Sequence, residues 1–439
     1  MTRLRSSALL VLVLTVLAVT AACAGTGSKG SVSLLGTESD QFEELLDAFE
    51  AQTGIEVSYR STRALDQVLL ADVQNGTPPD VAALSSPGDL GRYARQGYLE
   101  PLDEVIGSQV LSEYSTQWQK LARAGLDELY AVPVEVNLKS IVWFNKTSWP
   151  QPVPQTLDQL IALRSTAAGG RSTWCMGLGS GAASGWPGTD WIEDILLQRF
   201  GEQVYQRWAA GELPWNSPEV AEAWATWGEI VTDPAQVRGG TTAALLTQFG
   251  DAGRLMFENS PEGCLLEHQG SFMMRIYQGY EGEPQPGIDF EFVEFQNLDE
   301  ASPDDSGRSS MVAADMVVMF NNTPQSRQLV QFLASEEAQR LLPKGDRLSA
   351  HKNVRPDAYD NDVSQRISAV LIGSERLCFD ASDMMPVTMR NAFYRAVQEY
   401  LSDPAQLNAL LINLDNTQES VRKTLPKEQW LTNSCGQEQ

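Results

Sequence analysis

Short apolar strands alternate with amphipathic helices along the first part of the chain that follows its N-terminal segment. A strand is predicted over 32–35, a helix over 41–52 and a second strand over 55–59. Apolar residues recur at intervals of three and four in the helix, whereas polar and apolar residues alternate in the second strand. The succession continues through predicted segments at 65–74, 80–84 and 90–96. Repeated strand–helix–strand order predicts an α/β fold, whose ligands bind beyond the carboxyl ends of the strands.

The rest of the chain is richer in helix and in tryptophan. Trp224 and Trp227 lie three residues apart on one predicted helix, so they are expected in a core rather than at a ligand. A chain of 439 residues exceeds one ordinary hydrophobic core, and two lobes are therefore expected. Further helices are predicted over 191–200, 203–210, 218–232, 383–401 and 406–423, and strands over 289–295 and 311–320.

The N-terminus predicts an exported lipoprotein. Arg3 and Arg5 precede an apolar run, 8–19, that is too short to cross a bilayer as a helix, and small residues lead to Cys23. Residues 1–22 are therefore predicted as a signal peptide, and 23–31 as a lipid anchor (palmitate on Cys23) and tether. The protein would then be held on the outer face of the cytoplasmic membrane.

An ordinary signal peptide, in which Cys23 is incidental, remains an alternative. Bacterial lipoproteins usually have Leu or Val three residues before the lipidated cysteine, and this chain has Thr20 there.

Charge narrows the range of partners. The chain has 57 acidic residues against 32 Lys and Arg, a formal net charge of −25. Nucleic acid is not expected as a partner, because phosphate binding needs clustered cations. Anionic substrates are disfavoured for the same reason, although a local pocket can depart from the average.

Four cysteines besides Cys23 indicate two disulfides in an exported protein. Three pairings of Cys175, Cys264, Cys378 and Cys435 are possible. We favour Cys175 with Cys264 and Cys378 with Cys435, because each bond then closes a loop within one stretch of chain.

Motifs for enzymes and cofactors are missing from the sequence. It contains no GxSxG, HExxH or P-loop motif, and its only histidines are His268 and His351. No CxxC pair suits zinc either. We therefore predict no catalytic residue, no metal and no cofactor. A glycosidase remains an alternative, because a catalytic carboxylate pair is recognised by its separation, which sequence does not provide.

The segment 174–194 is the strongest candidate for a binding site. It combines three tryptophans with a Gly- and Ser-rich stretch and the acidic residue Asp190. An indole can stack on the apolar face of a sugar, and a carboxylate can accept hydrogen bonds from its hydroxyls. Trp186, Asp190 and Trp191 are the candidates, with burial of both tryptophans in a core as the alternative.

Four motifs resemble a known family. The segments 42–59, 76–103, 129–146 and 385–397 look like the extracytoplasmic sugar-binding proteins of ABC importers, of the maltose-binding type. Within that family, 174–194 and 379–386 most resemble α-glucoside binders.

The resemblance implies a two-lobed α/β fold of the periplasmic-binding-protein type II, with the ligand cleft between the lobes and closure by a hinge. The first lobe would comprise 32–136 and 314–356, and the second 137–313 and 357–439. It also implies a receptor and not an enzyme, expected to be monomeric, that binds a carbohydrate and delivers it to the membrane permease subunits of the importer.

Carried over by position, the family's pocket implies further ligand-binding residues: Glu38, Ser39, Ser85, Ser86, Asp89, Asn137, Asp315, Arg347, Asp380 and Tyr394. Asp315 could instead be a buried structural acceptor, Asp380 a helix cap, and Arg347 a salt-bridging hinge residue. A glycerophosphodiester, polyamine or oligopeptide remains an alternative ligand. A phosphodiester would want convergent cations, and Arg347 is the only one expected in the pocket.

Overall fold

The computed structural model describes residues 29–40, 42–123, 125–147, 154, 156–163, 170–258, 263–295, 309–425 and 430–435. The predicted signal peptide and Cys23 lie outside these residues and stay predictions. Within the described part, no helix is long and apolar enough to cross a membrane.

Ten strands and eighteen α-helices make up the described fold. The strands are β1 Ser31–Gly36, β2 Glu56–Ser61, β3 Val81–Leu84, β4 Ala131–Leu138, β5 Ile141–Asn145, β6 Ser172–Trp174, β7 Cys264–His268, β8 Phe290–Glu294, β9 Ser310–Met319 and β10 Leu377–Phe379. The helices are α1 Glu43–Thr53, α2 Leu65–Gln74, α3 Pro87–Arg95, α4 Asp103–Leu111, α5 Thr116–Arg123, α6 Leu157–Ala162, α7 Trp186–Ala209, α8 Pro218–Val231, α9 Gly240–Leu246, α10 Phe249–Ala252, α11 Arg254–Phe257, α12 Met273–Gln278, α13 Pro324–Ala334, α14 Glu336–Gln339, α15 Asp362–Gly373, α16 Ala381–Met384, α17 Val387–Ser402 and α18 Leu407–Thr424.

Two sheets form the centres of the two lobes. The first has the order β10-β9-β3-β1-β2, and β4 also pairs with β9. The second has the order β6-β7-β5-β8. β1 runs parallel to β2 and β3, whereas β9 runs antiparallel to β3 and β4. Each sheet is covered by helices, which is the α/β arrangement that the alternating sequence pattern predicts.

The lobes are joined where β4 passes into β5. Only Lys139 and Ser140 separate the last residue of β4, in the first sheet, from the first residue of β5, in the second. β9 runs back beside β4, with Asn137 opposite Ala313. α15, which follows the predicted boundary at 357, contacts β4 of the first sheet. The exact limits of the lobes stay a prediction.

Three predicted helices, 191–200, 203–210 and 383–401, have different bounds in the structure. α7 is one element that begins at Trp186, with Pro187 in its first turn, and it breaks at Gly201, where φ is 75° and ψ is 174°. The helix expected over 383–401 is divided into α16 and α17. Met385 is extended there because the ring of Pro386 disfavours helical backbone in the preceding residue.

Both predicted disulfides are present. Cys175 is bonded to Cys264, and Cys378 to Cys435. The first joins the residue after β6 to the start of β7, and the second attaches the C-terminal segment to β10. The predicted core role of Trp224 is confirmed, since this side chain is fully buried against Phe393.

Glu267 on β7 generates a prediction about pH and stability. Its side chain is buried and accepts a hydrogen bond of 2.7 Å from the Tyr277 hydroxyl. Burial raises the pKa of Glu267 from 4.5 to about 8. The folded state therefore binds more protons than the unfolded state between pH 4.5 and 8. As pH rises through that window, Glu267 lowers the free energy of unfolding, by about 1.4 kcal/mol per unit of its pKa shift.

We expect Glu267→Gln, which stays neutral and keeps an acceptor for Tyr277, to reduce that loss. Urea unfolding at pH 5 and pH 8.5 should give a smaller fall in the free energy of unfolding for the variant than for the wild type. Glu44→Gln, on the exposed face of α1, is the control and should follow the wild type. An equal fall in all three proteins would contradict the prediction.

Candidate functional site

A cavity of about 390 Å³ lies between the two lobes. Its walls come from the residues that follow β1 and β3, from the β4–β5 crossing and from the start of α7, so it lies beyond the carboxyl ends of parallel strands, as the α/β pattern predicts. Nine of the predicted site residues line it: Glu38, Ser85, Asn137, Trp186, Asp190, Asp315, Arg347, Asp380 and Tyr394.

The other four predicted residues do not line the cavity. Ser39 is exposed beside it. Ser86 caps α3: its hydroxyl accepts a hydrogen bond from the amide of Asp89 at 3.3 Å and donates one to the carbonyl of Asp383 at 2.7 Å. Trp191 is buried on α7, the core placement that was the alternative for this residue.

Lys139 is the central cation of the cavity, and it lies in the crossing itself. Its ammonium is 2.6 Å from Asp190 Oδ2 and 3.3 Å from Asp380 Oδ2, and all three side chains are buried. Asp190 belongs to α7 and Asp380 directly follows β10. The predicted cap role of Asp380 is also observed, since Oδ1 accepts a hydrogen bond of 3.2 Å from the amide of Asp383. One ammonium group therefore connects three segments of the chain.

The charges of this group depend on one another. Burial by itself lowers the pKa of Lys139, but the charges of Asp190 and Asp380 outweigh burial and hold that pKa above its ordinary value. Burial also favours a higher pKa for Asp380, yet Lys139 and hydrogen bonds keep it below the ordinary value. Glu193, beneath them on α7, has its pKa raised by burial and by the charge of Asp380. Asp380 thus remains ionised opposite a charged Lys139, whereas burial, only partly offset by Lys139, raises the pKa of Asp190 above its ordinary value.

Three aromatic rings form one wall of the cavity. The ring centroid of Trp186 lies 5.2 Å from that of Phe249 and 5.9 Å from that of Phe272, both at steep angles. The ammonium of Lys139 lies 4.5 Å from the centroid of the Trp186 ring. Trp186 is half-buried, so its orientation is held by these neighbours while part of the indole faces the cavity.

Four buried polar atoms on cavity-lining residues have no hydrogen-bond partner in the protein. They are Oγ of Ser180, Oδ1 of Asp190, Nε of Arg275 and Nη1 of Arg390. A buried polar atom without a partner costs free energy comparable to a lost hydrogen bond. A ligand that carries both donors and acceptors would satisfy them, and a hydroxyl group is both.

Arg390 also connects the two lobes. From α17 its Nη2 contacts Asp66 of α2 and lies 2.8 Å from Asp89 Oδ2 on α3. Asp89, predicted to touch ligand, is thus buried behind Arg390 and holds the guanidinium.

Further cations line the cavity where the sequence pointed only to Arg347. Arg63, Lys139, Arg275 and Arg390 line it as well, so the expectation of a single pocket cation was wrong. Each of the five forms an ion pair with a carboxylate of the protein. Arg347 bonds to Glu135 at 2.6 Å, the salt-bridging role weighed for it.

Strand pairing and local bonds place the remaining lining residues. Asn137 on β4 accepts a hydrogen bond of 2.9 Å from the Ser271 hydroxyl. Asp315, on β9, faces Glu135 across the β4–β9 pairing. Both are partly exposed toward the cavity.

Sequence reasoning overlooked Lys139, Arg390, Phe249 and Phe272. Lys139 had a signal, since it is the only charged residue in the crossing 138–144. Arg390 and Phe249 lie on helices and Phe272 directly precedes one, and no local pattern relates the three. Among the described residues, no group of three or more His, Cys, Asp or Glu side chains is arranged to hold a metal ion.

Comparison with known proteins places the chain in a family. The profile of the bacterial extracellular solute-binding proteins matches residues 36–340, and the chain belongs to this family. It is 32% identical to the osmoprotective compounds-binding protein GgtB of Synechocystis sp., over 88% of this chain and 93% of the relative. It is also 32% identical to the alpha-glucosides-binding periplasmic protein AglE of Rhizobium meliloti, over 80% of this chain and 78% of the relative.

A solved structure has a similar fold over most of the chain. The bacterial solute receptor AcbH superposes with a TM-score of 0.74 at 20% identity, covering 90% of this chain and 99% of the receptor. This similarity confirms the two-lobed fold.

Lys139 can be tested by Lys139→Met, which keeps an unbranched chain and removes the charge. We expect a loss of about 3 to 5 kcal/mol in the free energy of unfolding at pH 8, because Asp190 and Asp380 lose their counter-charge while still buried. The loss in the free energy of unfolding should be smaller at pH 5, where Asp190 and Asp380 are more easily protonated. Urea unfolding at both pH values measures it.

Lys423→Met is the matched control. Lys423 pairs with Glu419 at 2.6 Å on the exposed face of α18, so its removal should change stability little at either pH. Equal effects of the two substitutions would show that the Lys139 group does not stabilise the crossing.

Proposed function

We propose that this protein is the sugar-binding receptor of an ABC importer. It captures a carbohydrate, an α-glucoside or another oligosaccharide, outside the membrane and presents it to the permease after the lobes close on it. The observation that carries the proposal is the unpartnered, buried Oδ1 of Asp190 one helical turn from the half-buried indole of Trp186. Together they offer an acceptor for sugar hydroxyls and a surface for the sugar's apolar face.

The relatives support this ligand class. AglE is named for alpha-glucosides and GgtB for osmoprotective compounds, and AcbH is described as preferring β-D-galactopyranose. Two of these names specify sugars.

The charge of the cavity favours a neutral ligand over a phosphodiester. Eight carboxylic side chains and five cations line it, and every cation already has a protein carboxylate as partner. An anionic ligand would have to compete with those carboxylates, whereas a neutral sugar would bond to atoms such as Asp190 Oδ1 without breaking an ion pair.

We further propose that the receptor is lipid-anchored through Cys23 on the outer face of the cytoplasmic membrane, acts as a monomer and performs no catalysis. We also propose the lobe limits 32–136 with 314–356 and 137–313 with 357–439, with β10 as the strand that the second lobe's last segment adds to the first sheet.

Calorimetry with a panel of mono-, di- and trisaccharides tests the ligand class. Trp186→Ala should weaken binding of the best sugar by about 1 to 3 kcal/mol, the scale of one buried aromatic contact. Tyr98→Ala is the control, because Tyr98 is exposed outside the cavity and its loss should leave affinity unchanged. Absence of binding to every sugar, or release of hydrolysis products over hours, would refute the receptor proposal.

Membrane fractionation tests the anchor. Cys23→Ser should release the protein from the membrane or leave it uncleaved, because no thiol is then present to carry lipid. A correctly cleaved variant that remains in the membrane fraction would refute the anchor.

A further inference from the structure

A second cavity of about 220 Å³ adjoins the ligand cavity. It lies between the first turn of α1 and the segment 341–347. Asp40, Arg275 and Arg347 line both cavities, and no other described residue does. These three side chains therefore form the partition between the two spaces.

The partition consists of ion pairs of unequal strength. Arg347 is fixed, because it bonds to Glu135 Oε2 at 2.6 Å and donates to the carbonyl of Asp40 at 2.7 Å. The carboxylate of Asp40 lies 3.5 Å from Arg347 and 3.5 Å from Arg275, and 63% of its side chain is exposed. Long, exposed ion pairs contribute little stability, so the Asp40 side chain is the part of the partition that is least costly to displace.

The outer cavity has a surface suited to another sugar unit. Its walls include Glu43 and Glu44, which are exposed, and Leu341, which is partly exposed. A carboxylate can accept hydrogen bonds from hydroxyls, and an apolar side chain can contact the C–H face of a ring. The chemistry on the far side of the partition therefore resembles that of the main cavity.

We propose that the Asp40–Arg275–Arg347 partition limits the length of the carbohydrate that the receptor binds. The main cavity is near the lower end of the roughly 300 to 1,000 Å³ range of small-molecule pockets, which suits a short saccharide. Displacing Asp40 joins the outer cavity to it and admits a longer chain. This inference rests on the proposed function, and it assigns a specificity role to three residues at the boundary of the main cavity.

Calorimetry with maltose, maltotriose and maltotetraose tests the proposal on the wild type and on Asp40→Ala. The wild type should bind the shortest member that fits more tightly than maltotetraose. In Asp40→Ala the ratio of the maltotetraose Kd to the maltose Kd should fall about tenfold, or ~1.4 kcal/mol. The ratio cancels any effect of Asp40 on lobe closure that all three sugars share.

Two further variants examine the cause of the change. Asp40→Asn keeps the size of the side chain and weakens its ion pairs, so it should produce a smaller fall in the ratio. Compared with Asp40→Ala, the double variant Asp40→Ala with Glu44→Ala should lose part of the gain for maltotetraose. It should keep its affinity for maltose, because Glu44 lines the outer cavity and not the main cavity.

The outcomes separate the two proposals. Binding of the series with an unchanged ratio in Asp40→Ala, or tighter binding of maltotetraose than maltose by the wild type, overturns the partition and leaves the receptor function standing. Absence of binding to all three sugars by both proteins overturns the α-glucoside function and the inference that rests on it.

Discussion

The two-lobed arrangement depends on the ion pairs of the buried Lys139 ammonium. Lys139 lies in the two-residue connection between the first and second sheets and contacts Asp190 at the start of α7 and Asp380 after β10. A charge buried in protein is tolerated only where opposite charges and hydrogen bonds compensate for lost hydration. These ion pairs therefore fix the relative positions of the crossing, the helix that carries Trp186 and the segment after β10. The bottom of the cavity lies where the three meet.

The cavity combines rigid walls with contacts that bridge the lobes. Arg390 reaches from α17 to Asp66 and Asp89 of the first lobe, and Arg275 reaches from α12 to Asp40 and Glu135. The charges on the walls are thus largely satisfied by one another, and the buried polar atoms without a partner include both an acceptor, Asp190 Oδ1, and donors such as Arg390 Nη1. A cavity of this kind distinguishes a polyhydroxyl solute from an anion, because only the anion must displace existing ion pairs to bind.

The α/β class, most element positions and both disulfides were predictable from the sequence, because they depend on local periodicity and on the small number of cysteine pairings. α2 has the predicted bounds of 65–74. Departures occur where a single residue decides the backbone, as at Gly201 in α7 and at Pro386 between α16 and α17. Most predicted site residues line the cavity, but Trp191, predicted from the segment 174–194, does not, because its position on α7 directs the indole into the core.

The sequence by itself determined that strands and helices alternate, that Trp224 is buried in a core and that Cys175 and Cys264 could pair, since helical spacing and cysteine count are properties of the chain alone. Tertiary structure alone decided which charges meet. Lys139 and Asp380 are 241 residues apart, and Asp40 and Arg275 are 235 apart. Their contacts arise only when β4, β9 and β10 bring distant segments to one crossing, and electrostatic partnership depends on distance in space, for which a sequence contains no local signal.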